Sequence, residues 1–295
     1  MSNLINTGER QHADSFDMNA LEHLHRYAIA ASICGGLEVL DIASGEGYGS
    51  NILASAAKSA VGVDINEDAI AHASKKYVKP NLRYIAGSAD RIPLPDHSVD
   101  RVVSFETLEH HDRHEEMFSE IKRVLRPGGL LMISTPDKLN YTDTPKQINE
   151  FHVKELYLDE FRALAQKHFK RVSMYYQRVD YFGLIVPEFP GSHPFRFFKG
   201  DFQNLETSNT LPEAIYNICL ASDVDLPESI ISAYSGHSIY ESLRIRAGDQ
   251  AEEIERLQKI LDNARNEIGN LTKSPAFMVG RAITAPYRML RSLFN

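Results

Sequence analysis

Several residue types and patterns are scarce in this sequence, and each scarcity argues against a class of protein. There are only two cysteines, Cys34 and Cys219, and no tryptophan. Two cysteines are too few for a small secreted protein that is stabilised by disulfides. Basic residues are not in excess, because the net charge is -8, and this argues against a nucleic-acid partner held by a broadly basic surface. The N-terminus is polar and no apolar run approaches the ~20 residues of a spanning helix, so we expect a cytoplasmic protein.

Short apolar runs alternate with helical stretches through the first half of the chain. The runs cover residues 37–42, 59–65, 81–87, 99–105 and 129–134. Each run is short enough for a strand that is buried on both faces, and the alternation predicts a doubly wound α/β fold with a mostly parallel sheet. We also expect helices at 18–33 and 115–125, a turn at 126–129, and an antiparallel hairpin at the sheet edge from 171–177 and 181–186.

The pattern changes after residue 187, so we predict five segments. They are an N-terminal helical segment (1–36), the α/β domain (37–187), a joining region (188–246) that looks helical over 211–235, a short coiled coil (247–272) and a basic amphipathic tail (273–295). The coiled coil rests on a 3-4-3-4 spacing of apolar residues that includes Ile254, Leu257 and Leu261. The tail contains four basic residues and no acidic one.

A glycine-rich turn follows the first predicted strand and carries the strongest chemical signal. Residues 37–50 read LEVLDIASGEGYGS, with Gly45, Gly47 and Gly49 between the strand and a helix. Glycines at such a turn let the backbone approach a ligand closely and adopt positive φ. The spacing differs from the Gly-x-Gly-x-x-Gly of dinucleotide sites, and Glu46 would repel a phosphate. The turn therefore favours a cationic or zwitterionic ligand, although a purely structural turn is an alternative.

Acidic residues also end the next two predicted strands. Asp64 closes the second strand and Asp90 follows the third, so both should reach the same crevice as the glycine turn. An acid at the end of the second strand of an open α/β sheet typically accepts hydrogen bonds from ribose hydroxyls. Each of these acids could instead cap a helix or face solvent.

Taken in order, the segments DIASGEGYG, VGVD, AGSAD, VDRVVSFETLEH and EIKRVLRPGGLLMISTP resemble class I S-adenosylmethionine-dependent methyltransferases. The resemblance covers about residues 20–185 and implies a Rossmann-like, seven-stranded methyltransferase sheet with S-adenosylmethionine as cofactor. Ala43 departs from the family glycine but is small enough to be compatible with binding. The cofactor-binding residues implied by the resemblance are Arg26, Asp41, Ala43, Gly45, Gly47, Asp64, Ile65, Ala89, Asp90 and Phe105.

The family also implies roles for some of these residues. Ala43 and Gly45 would pass under the methionine part of the cofactor, and Arg26 would bind its carboxylate. Asp64 would hold the ribose hydroxyls and Asp90 would meet the adenine amine. Arg26 could alternatively be an ordinary surface arginine.

A narrower similarity connects TGER at residues 7–10, EHLHRY at 22–27 and FHVKEL at 151–156 with methyltransferases of bacterial O-antigen and capsule gene clusters. It implies O-methylation of a sugar or sugar phosphate of a surface polysaccharide, or of a nucleotide-sugar precursor. The coiled coil would then serve self-association or bind a glycan-assembly partner. The basic tail suggests peripheral contact with the inner face of the membrane.

Deprotonation of a sugar hydroxyl needs a base, and the candidates are Glu106, His110 and His152. If 106–110 form a helical turn, Glu106, Glu109 and His110 share one side, and His152 should return to the same pocket. The four residues could also hold a divalent cation such as Mg, Mn or Zn, because small-RNA 2′-O-methyltransferases and ubiquinone-pathway O-methyltransferases look similar at this stretch. We assign His111 and His114 to a solvated helix start.

Two rival functions remain open from the sequence. One is a small-molecule O- or N-methyltransferase of quinone or secondary metabolism. The other is an inactive methyltransferase-like scaffold that recruits partners through its coiled coil. An intact set of Gly45, Asp64 and Asp90 disfavours the scaffold.

Overall fold

The computed structural model describes residues 18–179, 182–188, 197–200, 205–208, 210–211, 213–228, 232–235, 250, 253–254, 256–261, 263 and 265. The chain divides into two compact units, Met1–Ile239 and Tyr240–Asn295. None of the helices in the described residues has the length and the apolar character that crossing a bilayer requires.

The first half of the larger unit follows the predicted alternation of strands and helices. Its elements are α1 (Met18–Ser32), β1 (Glu38–Ile42), α2 (Tyr48–Ala54), β2 (Ser59–Asp64), α3 (Glu67–Lys76), β3 (Leu82–Ala86), β4 (Val99–Phe105), α4 (His114–Val124) and β5 (Leu125–Pro136). The five strands are parallel and stand in the order β3-β2-β1-β4-β5. Their carboxyl ends therefore meet at one edge of the sheet.

The second half adds α5 (Leu158–His168), β6 (Arg171–Val179), β7 (Phe182–Pro187), β10 (Tyr216–Ser222) and β11 (Ser232–Ser235). A separate antiparallel pair consists of β8 (Phe197–Gly200) and β9 (Leu205–Ser208). The main sheet has the order β11-β7-β6-β10-β5-β4-β1-β2-β3. The mixed Rossmann-like sheet is thus confirmed in the order β3-β2-β1-β4-β5-β10-β6, and β7 and β11 extend it to nine strands. The predicted antiparallel hairpin of β6 and β7 is confirmed, but β11 pairs with β7, so the hairpin does not form the edge of the sheet.

Two sequence predictions about local structure are wrong. Residues 211–235 were expected to be helical, but Tyr216–Ser222 form β10, which is buried along its whole length and antiparallel to both β5 and β6. A run that is buried on both faces shows no alternation, so periodicity does not distinguish it from a buried helix. The sheet therefore extends past the domain end predicted at residue 187. The expected turn at 126–129 lies inside β5, where the register against β4 shifts.

Two hydrophobic cores cover the two faces of the sheet. One contains Phe118 of α4, Phe161 of α5 and Cys219 of β10. The other lies under α1 and α2 and contains Cys34 and Leu53. Both cysteines are unpaired thiols with no exposed surface, and burial raises their pKa to about 12. Neither thiol is therefore an ionised nucleophile in the folded protein.

In the smaller unit, the described residues 253–254 and 256–261 are helical. The apolar residues Ile254, Leu257 and Leu261 of the predicted seam are about half exposed, at 50–56%. The coiled coil itself stays a prediction, as do the segment limits at 36, 246 and 272. The TGER motif and the basic tail at 273–295 lie outside the described residues.

Candidate functional site

The turn after β1 combines three residues with positive φ. Ala43, Gly45 and Gly47 have φ of 57°, 53° and 96°. Gly47 precedes α2, and a Cβ on it would lie 2.6 Å from the Cβ of Ala73. A side chain on Gly49 would lie 2.0 Å from the Tyr27 ring. Glycine at both positions is therefore a steric requirement, and the turn can pack closely against α1 and α3.

Asp64 ties the end of β2 to this turn. The backbone N–H of Gly45 donates to Oδ2 of Asp64 at 2.8 Å, and the N–H of Asn66 donates to Oδ1 at 2.9 Å. Asn66 in turn caps α3, because its side chain accepts from the N–H of Ala69 at 2.8 Å. The carboxylate is thus fixed at the carboxyl edge of the sheet, as predicted.

A cavity of about 460 Å³ opens where the carboxyl ends of β1, β2, β3 and β4 meet. It is lined by seven of the ten predicted cofactor residues, which are Ala43, Gly45, Asp64, Ile65, Ala89, Asp90 and Phe105. Glu106 and His110 also line it. Arg26, Asp41 and Gly47 are not among the lining residues.

Asp90 lines the cavity and is held by two donors. The Ser88 hydroxyl donates to one carboxylate oxygen, and the Arg113 guanidinium donates to the other at 2.6 Å. The hydrogen bond from Ser88 and the one from Arg113 lower the pKa of Asp90. The carboxylate is therefore ionised at neutral pH.

The structure brings together three of the four predicted metal or base residues. Ligand atoms of Glu109, His110 and His152 all lie within 4.8 Å of one another. Glu106 is separate from this group, because its Oε1 accepts from the Ser134 hydroxyl at 2.6 Å and lies 3.6 Å from Nη1 of Arg26. Glu106 has a φ of 53° and is followed by a short 3-10 turn, Leu108–His110, so the predicted helical side that joins Glu106 to Glu109 does not form.

Hydrogen bonds define the tautomers of the two histidines. Nδ1 of His110 lies 3.0 Å from the carbonyl oxygen of Phe151, which only accepts, so Nδ1 carries the proton and Nε2 the lone pair. Nδ1 of His152 donates to Oε1 of Glu155 at 2.5 Å, and its Nε2 accepts from the Asn149 amide at 3.0 Å. The two rings meet edge to face with centroids 5.3 Å apart.

Glu109 is the buried member of the group. Only 1% of its surface is exposed, and Oε2 accepts from the Thr135 hydroxyl at 3.0 Å. Burial, reinforced by the nearby charge of Glu106, holds the pKa of Glu109 well above its usual range. Burial therefore favours the neutral form of this carboxyl more than in a solvent-exposed glutamate.

Comparison with known proteins identifies the domain that contains this cavity. The family model described as "Methyltransferase domain" matches residues 40–133, which include the glycine turn, Asp64, Asp90 and the Glu106–His110 stretch. This segment is a methyltransferase domain. The match agrees with the sequence resemblance to class I, S-adenosylmethionine-dependent methyltransferases.

Relatives of the methyltransferase domain are described in the same general terms. A Mycolicibacterium smegmatis protein named a probable S-adenosylmethionine-dependent methyltransferase is 37% identical over 54% of this chain and 63% of its own length. A Mycobacterium tuberculosis protein with the same description is 39% identical over 54% of this chain and 58% of its own length. The chain therefore spans about three fifths of the length of the curated relatives it matches. An S-adenosylmethionine-dependent methyltransferase of Thermotoga maritima has the same fold, with a TM-score of 0.50, 16% identity and coverage of 70% of this chain and 90% of its own.

Arg26 is fully buried and contacts Phe105 and Glu106, which line the cavity. Its Nη1 donates to Oε1 of Gln177 at 2.7 Å, and its guanidinium lies 4.8 Å from the centre of the Tyr216 ring. Nε and Nη2 have no hydrogen-bond partner among the described residues. Arg26 is therefore not the surface arginine of the alternative interpretation, and its predicted contact with a carboxylate stays a prediction.

Asp41 supports the methyltransferase turn from below. Its carboxyl accepts from the Ser50 hydroxyl of α2 at 2.6 Å and from the Tyr27 hydroxyl of α1 at 3.1 Å. Burial raises the pKa of Asp41 to about 7, although both hydrogen bonds favour the charged form. Its position indicates that it holds α1 and α2 against the turn.

Glu46 has a different environment from the one expected. Its side chain is 1% exposed, Oε1 accepts from Nζ of Lys76 at 2.5 Å, and Oε2 accepts from the Tyr77 hydroxyl at 2.8 Å. The neighbouring ammonium compensates its charge. The expectation that Glu46 makes the turn repel anions is therefore not supported by its contacts.

Sequence reasoning missed two residues that face the cavity. His111 is a lining residue whose Nδ1 accepts from the N–H of Arg113 at 3.1 Å, so its proton lies on Nε2. Nε2 of His111 and Oγ of Ser44 are buried without a hydrogen-bond partner in the described part of the chain. His114 does begin α4, but the expectation that it is solvated is wrong because it is only 5% exposed. Because His111 directly follows the Glu109-His110 pair in the sequence, its position at the cavity could have been predicted.

Proposed function

We propose that this protein is an S-adenosylmethionine-dependent O-methyltransferase. The observation that carries the proposal is the convergence of the glycine turn, Asp64 and Asp90 on one cavity inside a methyltransferase domain. S-adenosylmethionine supplies a methyl group on a cationic sulfonium, so the reaction needs an acceptor atom aligned with that methyl in a site that excludes water.

The cavity offers polar groups that suit this cofactor. Nε2–H of His111 and Oγ of Ser44 are buried and have no hydrogen-bond partner in the parts of the chain described, so a bound ligand would satisfy both. The carboxylate of Asp64 can accept from ribose hydroxyls, and Glu106 places a further carboxylate at the cavity for a cationic ligand. The ionised Asp90 can accept from an amine. These groups fit S-adenosylmethionine in both charge and donor pattern.

His110 is the residue that we assign as the direct base. It lines the cavity, whereas His152 does not, and its backbone bond to Phe151 keeps the lone pair on Nε2. His110 would take the proton of an acceptor hydroxyl while the oxygen attacks the methyl. His152, with its proton directed to Glu155, packs against the His110 ring and supports its orientation.

A divalent cation is the alternative at the same place. Glu109, His110 and His152 offer one carboxylate and two imidazole ligands, a set that suits Zn or Mn once Nε2 of His152 exchanges its hydrogen bond from the Asn149 amide for the cation. Both histidines direct Nδ1–H to an oxygen acceptor, which is the arrangement of outer-shell partners around metal-bound imidazoles. A cation there would also favour the charged form of Glu109. It would supply Lewis-acid activation of the acceptor hydroxyl.

Chelation together with metal analysis separates the two mechanisms. For a direct base, the purified protein holds no stoichiometric metal and a chelator leaves turnover unchanged. For a metal site, plasma mass spectrometry finds bound metal that is lost in Glu109→Gln and His152→Ala, and chelation abolishes turnover. Full activity in His110→Ala, His152→Ala and Glu106→Gln would remove both mechanisms and favour an acceptor that arrives already ionised, such as a phosphate.

The acceptor that we propose is a sugar hydroxyl of a bacterial surface polysaccharide or of its nucleotide-sugar precursor. The support is the similarity of the EHLHRY and FHVKEL segments to glycan-cluster methyltransferases. FHVKEL supplies His152, whose ring packs against the cavity-lining His110, and Glu155, which accepts from His152. A small-molecule or lipid acceptor is the second candidate, since other relatives are named sterol 24-C-methyltransferase and fatty-acid O-methyltransferase.

The acceptor is tested with methyl-labelled S-adenosylmethionine and a panel of nucleotide sugars, glycan fragments, fatty acids and quinone precursors. Mass spectrometry should find the label on a sugar oxygen with the wild type and on no product with His110→Ala. Label on a lipid or quinone alone would replace the sugar acceptor. If no panel member is labelled and the protein also fails to bind S-adenosylhomocysteine, the inactive scaffold becomes the better interpretation.

The C-terminal segment is proposed to mediate assembly near the inner face of the membrane. The half-exposed Ile254, Leu257 and Leu261 belong to a seam that is too short for a stable isolated helix, so it needs a second copy or a glycan-assembly partner. Truncation before Gly248 should lower the mass measured by light scattering or abolish vesicle binding by the tail, and cofactor affinity should stay unchanged. If neither property changes, the segment has no assembly role.

A further inference from the structure

The His152 imidazole is held at both of its nitrogens inside the loop of residues 138–157. Its Nδ1 lies 2.5 Å from Oε1 of Glu155, and the same carboxylate oxygen accepts from the Thr142 hydroxyl at 2.8 Å. Its Nε2 lies 3.0 Å from Nδ2 of Asn149. Only 7% of the His152 side chain is exposed. Both ring nitrogens are therefore engaged by neighbouring side chains.

The hydrogen bonds of Asn149 fix which end of its amide faces His152. Its Oδ1 accepts from the backbone N–H of Phe151 at 3.1 Å, a contact that only the oxygen end can make. The NH2 end therefore points to His152 and also lies 3.3 Å from the Tyr141 hydroxyl. An amide NH2 group only donates, so Nε2 of His152 accepts and the ring proton stays on Nδ1, against Glu155. The lone pair of Nε2 is thus used in a hydrogen bond.

Ring contacts hold His152 in this position. Tyr141 stacks on it with centroids 5.2 Å apart, and the His110 ring meets it edge to face at 5.3 Å. The loop is also tied to the 3-10 turn that carries Glu109, whose carbonyl oxygen accepts from the N–H of Val153 at 2.8 Å. Rotation of the imidazole would therefore break several contacts at once.

A cation bound by Glu109, His110 and His152 would need a free lone pair on each imidazole, because metal ions bind histidine through an unprotonated ring nitrogen. In His152, Nδ1 carries the proton and Nε2 accepts from Asn149. A cation can therefore bind His152 only after the amide has moved away. That movement also breaks the two other hydrogen bonds of the amide.

We propose that Asn149 keeps divalent cations out of the group formed by Glu109, His110 and His152. Its amide occupies the Nε2 lone pair that the cation needs and commits His152 to supporting the orientation of the His110 ring. Asn149 is thus a positioning residue, and its contacts favour the direct base over the metal site. The exclusion of the cation concerns binding alone and does not rest on the proposed function; only its consequence for the mechanism does.

The test is calorimetric titration of Zn²⁺ into the full chain after treatment with a chelator and removal of that chelator. The main variant is Asn149→Ser, whose hydroxyl can still accept from the Phe151 N–H but is too short to reach the imidazole. Asn149→Ala removes the amide in a second way. The matched control is Asn140→Ser, because the Asn140 amide anchors the same loop by donating to Oδ2 of Asp137 at 2.7 Å and to the carbonyl oxygen of Ala214 at 3.0 Å.

We expect Asn149→Ser and Asn149→Ala to bind Zn²⁺ at least about tenfold more tightly than the wild type and Asn140→Ser, because the cation no longer has to break the hydrogen bonds of the amide. Adding His152→Ala to Asn149→Ser should abolish this gain.

Equal Zn²⁺ affinities in the wild type and the Asn149 variants, or no Zn²⁺ binding in any of them, would overturn the proposal. A gain of the same size in Asn140→Ser would attribute the effect to a looser loop, and a gain that survives His152→Ala would place the cation elsewhere. Either result would overturn it as well.

Calorimetry with S-adenosylhomocysteine accompanies each variant and shows whether the domain remains folded. Its affinity should stay unchanged, since Asn149 does not line the cavity. If the wild type itself fails to bind S-adenosylhomocysteine, the proposed function fails, whereas the comparison of Zn²⁺ affinities still decides the role of Asn149.

Discussion

The two sides of the cavity are stabilised by different interactions. The cofactor wall, formed by Ala43, Gly45, Asp64 and Asp90, lies at the ends of neighbouring strands. Asp64 is fixed by backbone N–H groups 2 and 19 residues away along the chain. The acceptor wall, formed by Glu109, His110 and His152, depends on contacts between distant segments, such as the bond from His110 to Phe151 across 41 residues. The first wall is therefore specified by local sequence, and the second by how a long loop returns to the sheet.

This comparison predicts that the two walls control different quantities. Substitutions in the acceptor wall should reduce the rate of methyl transfer and leave cofactor affinity unchanged. Substitutions in the cofactor wall should reduce the affinity for the cofactor. Substitutions of residues that support this wall, such as Asp41, should change the free energy of unfolding.

The largest effect is expected in the acceptor wall. His110→Ala should lower the turnover of methyl transfer by ~10²–10⁴, because it removes the base that accepts the acceptor proton. Cofactor affinity should remain within about twofold by calorimetry. The control is His97→Ala, since Nδ1 of His97 also bonds a backbone carbonyl, that of Leu125 at 2.9 Å, but His97 does not line the cavity. A wild-type rate in His110→Ala would remove this residue from the chemistry.

Beneath the cofactor wall, Asp41 should make stability depend on pH. Its pKa of about 7 lies above that of an unfolded aspartate, so the folded protein keeps a proton that the unfolded chain releases, and stability falls as pH rises from about 4 to 7. In Asp41→Asn this fall should be absent. The free energy of unfolding should therefore decrease between pH 5 and pH 8 by roughly 3 kcal/mol more in the wild type than in the variant. Chemical denaturation at the two pH values measures the difference.

Equal slopes in the wild type and in Asp41→Asn would mean that Asp41 is ionised in the folded protein at pH 5. Asp159→Asn serves as the control for this experiment. The Asp159 side chain is 90% exposed on α5, so its removal should leave the wild-type slope unchanged.

In the cofactor wall, Asp64→Ala should weaken binding of S-adenosylhomocysteine at least roughly tenfold. The reason is the loss of charge-assisted hydrogen bonds to the ribose, at a cost of about 1.5–3 kcal/mol. Asp64→Asn keeps the size of the side chain and so separates this loss from a change in the turn. Calorimetry should rank the wild type above both variants, and an unchanged dissociation constant in Asp64→Asn would place the ribose elsewhere.

The smallest effect is expected at the outer end of the cofactor wall. Arg113 bonds Asp90, but 65% of its side chain is exposed, and exposed ion pairs contribute little. Arg113→Ala should therefore change cofactor affinity by less than about threefold in the same titration. A tenfold loss would show that Arg113 contacts the cofactor directly and would extend the cofactor wall to it.

The sequence predicted the cofactor wall well because strand-end motifs carry their own geometry. A strand followed by a glycine turn, and an acid closing the next strand, meet wherever parallel strands are adjacent, so Asp64 and Gly45 could be placed without a structure. The position of Arg26 depends on burial between β4 and β10, and β10 itself was expected to be helical. Its surroundings could therefore not be derived from the sequence.

The acceptor wall was predicted only in part for a related reason. Grouping Glu106 with Glu109 and His110 assumed a regular helical turn, but the left-handed backbone at Glu106 breaks that periodicity and directs its side chain to Ser134. A single residue with positive φ leaves no reliable sign in the sequence unless it is glycine. The position of His152 near His110 was predicted from the order of the segments along the chain. Its hydrogen bond to Glu155 could be seen only in the structure.

The two buried cysteines can serve as intrinsic reporters of local unfolding. Cys34 and Cys219 lie in different cores on opposite faces of the sheet, and neither can react with a thiol reagent until its own region opens. Their labelling rates therefore report local unfolding on each face separately, without any added probe. The helices α1 and α2 pack over Cys34 and also border the cavity. A ligand bound in the cavity should therefore lower the labelling rate of Cys34 more than that of Cys219.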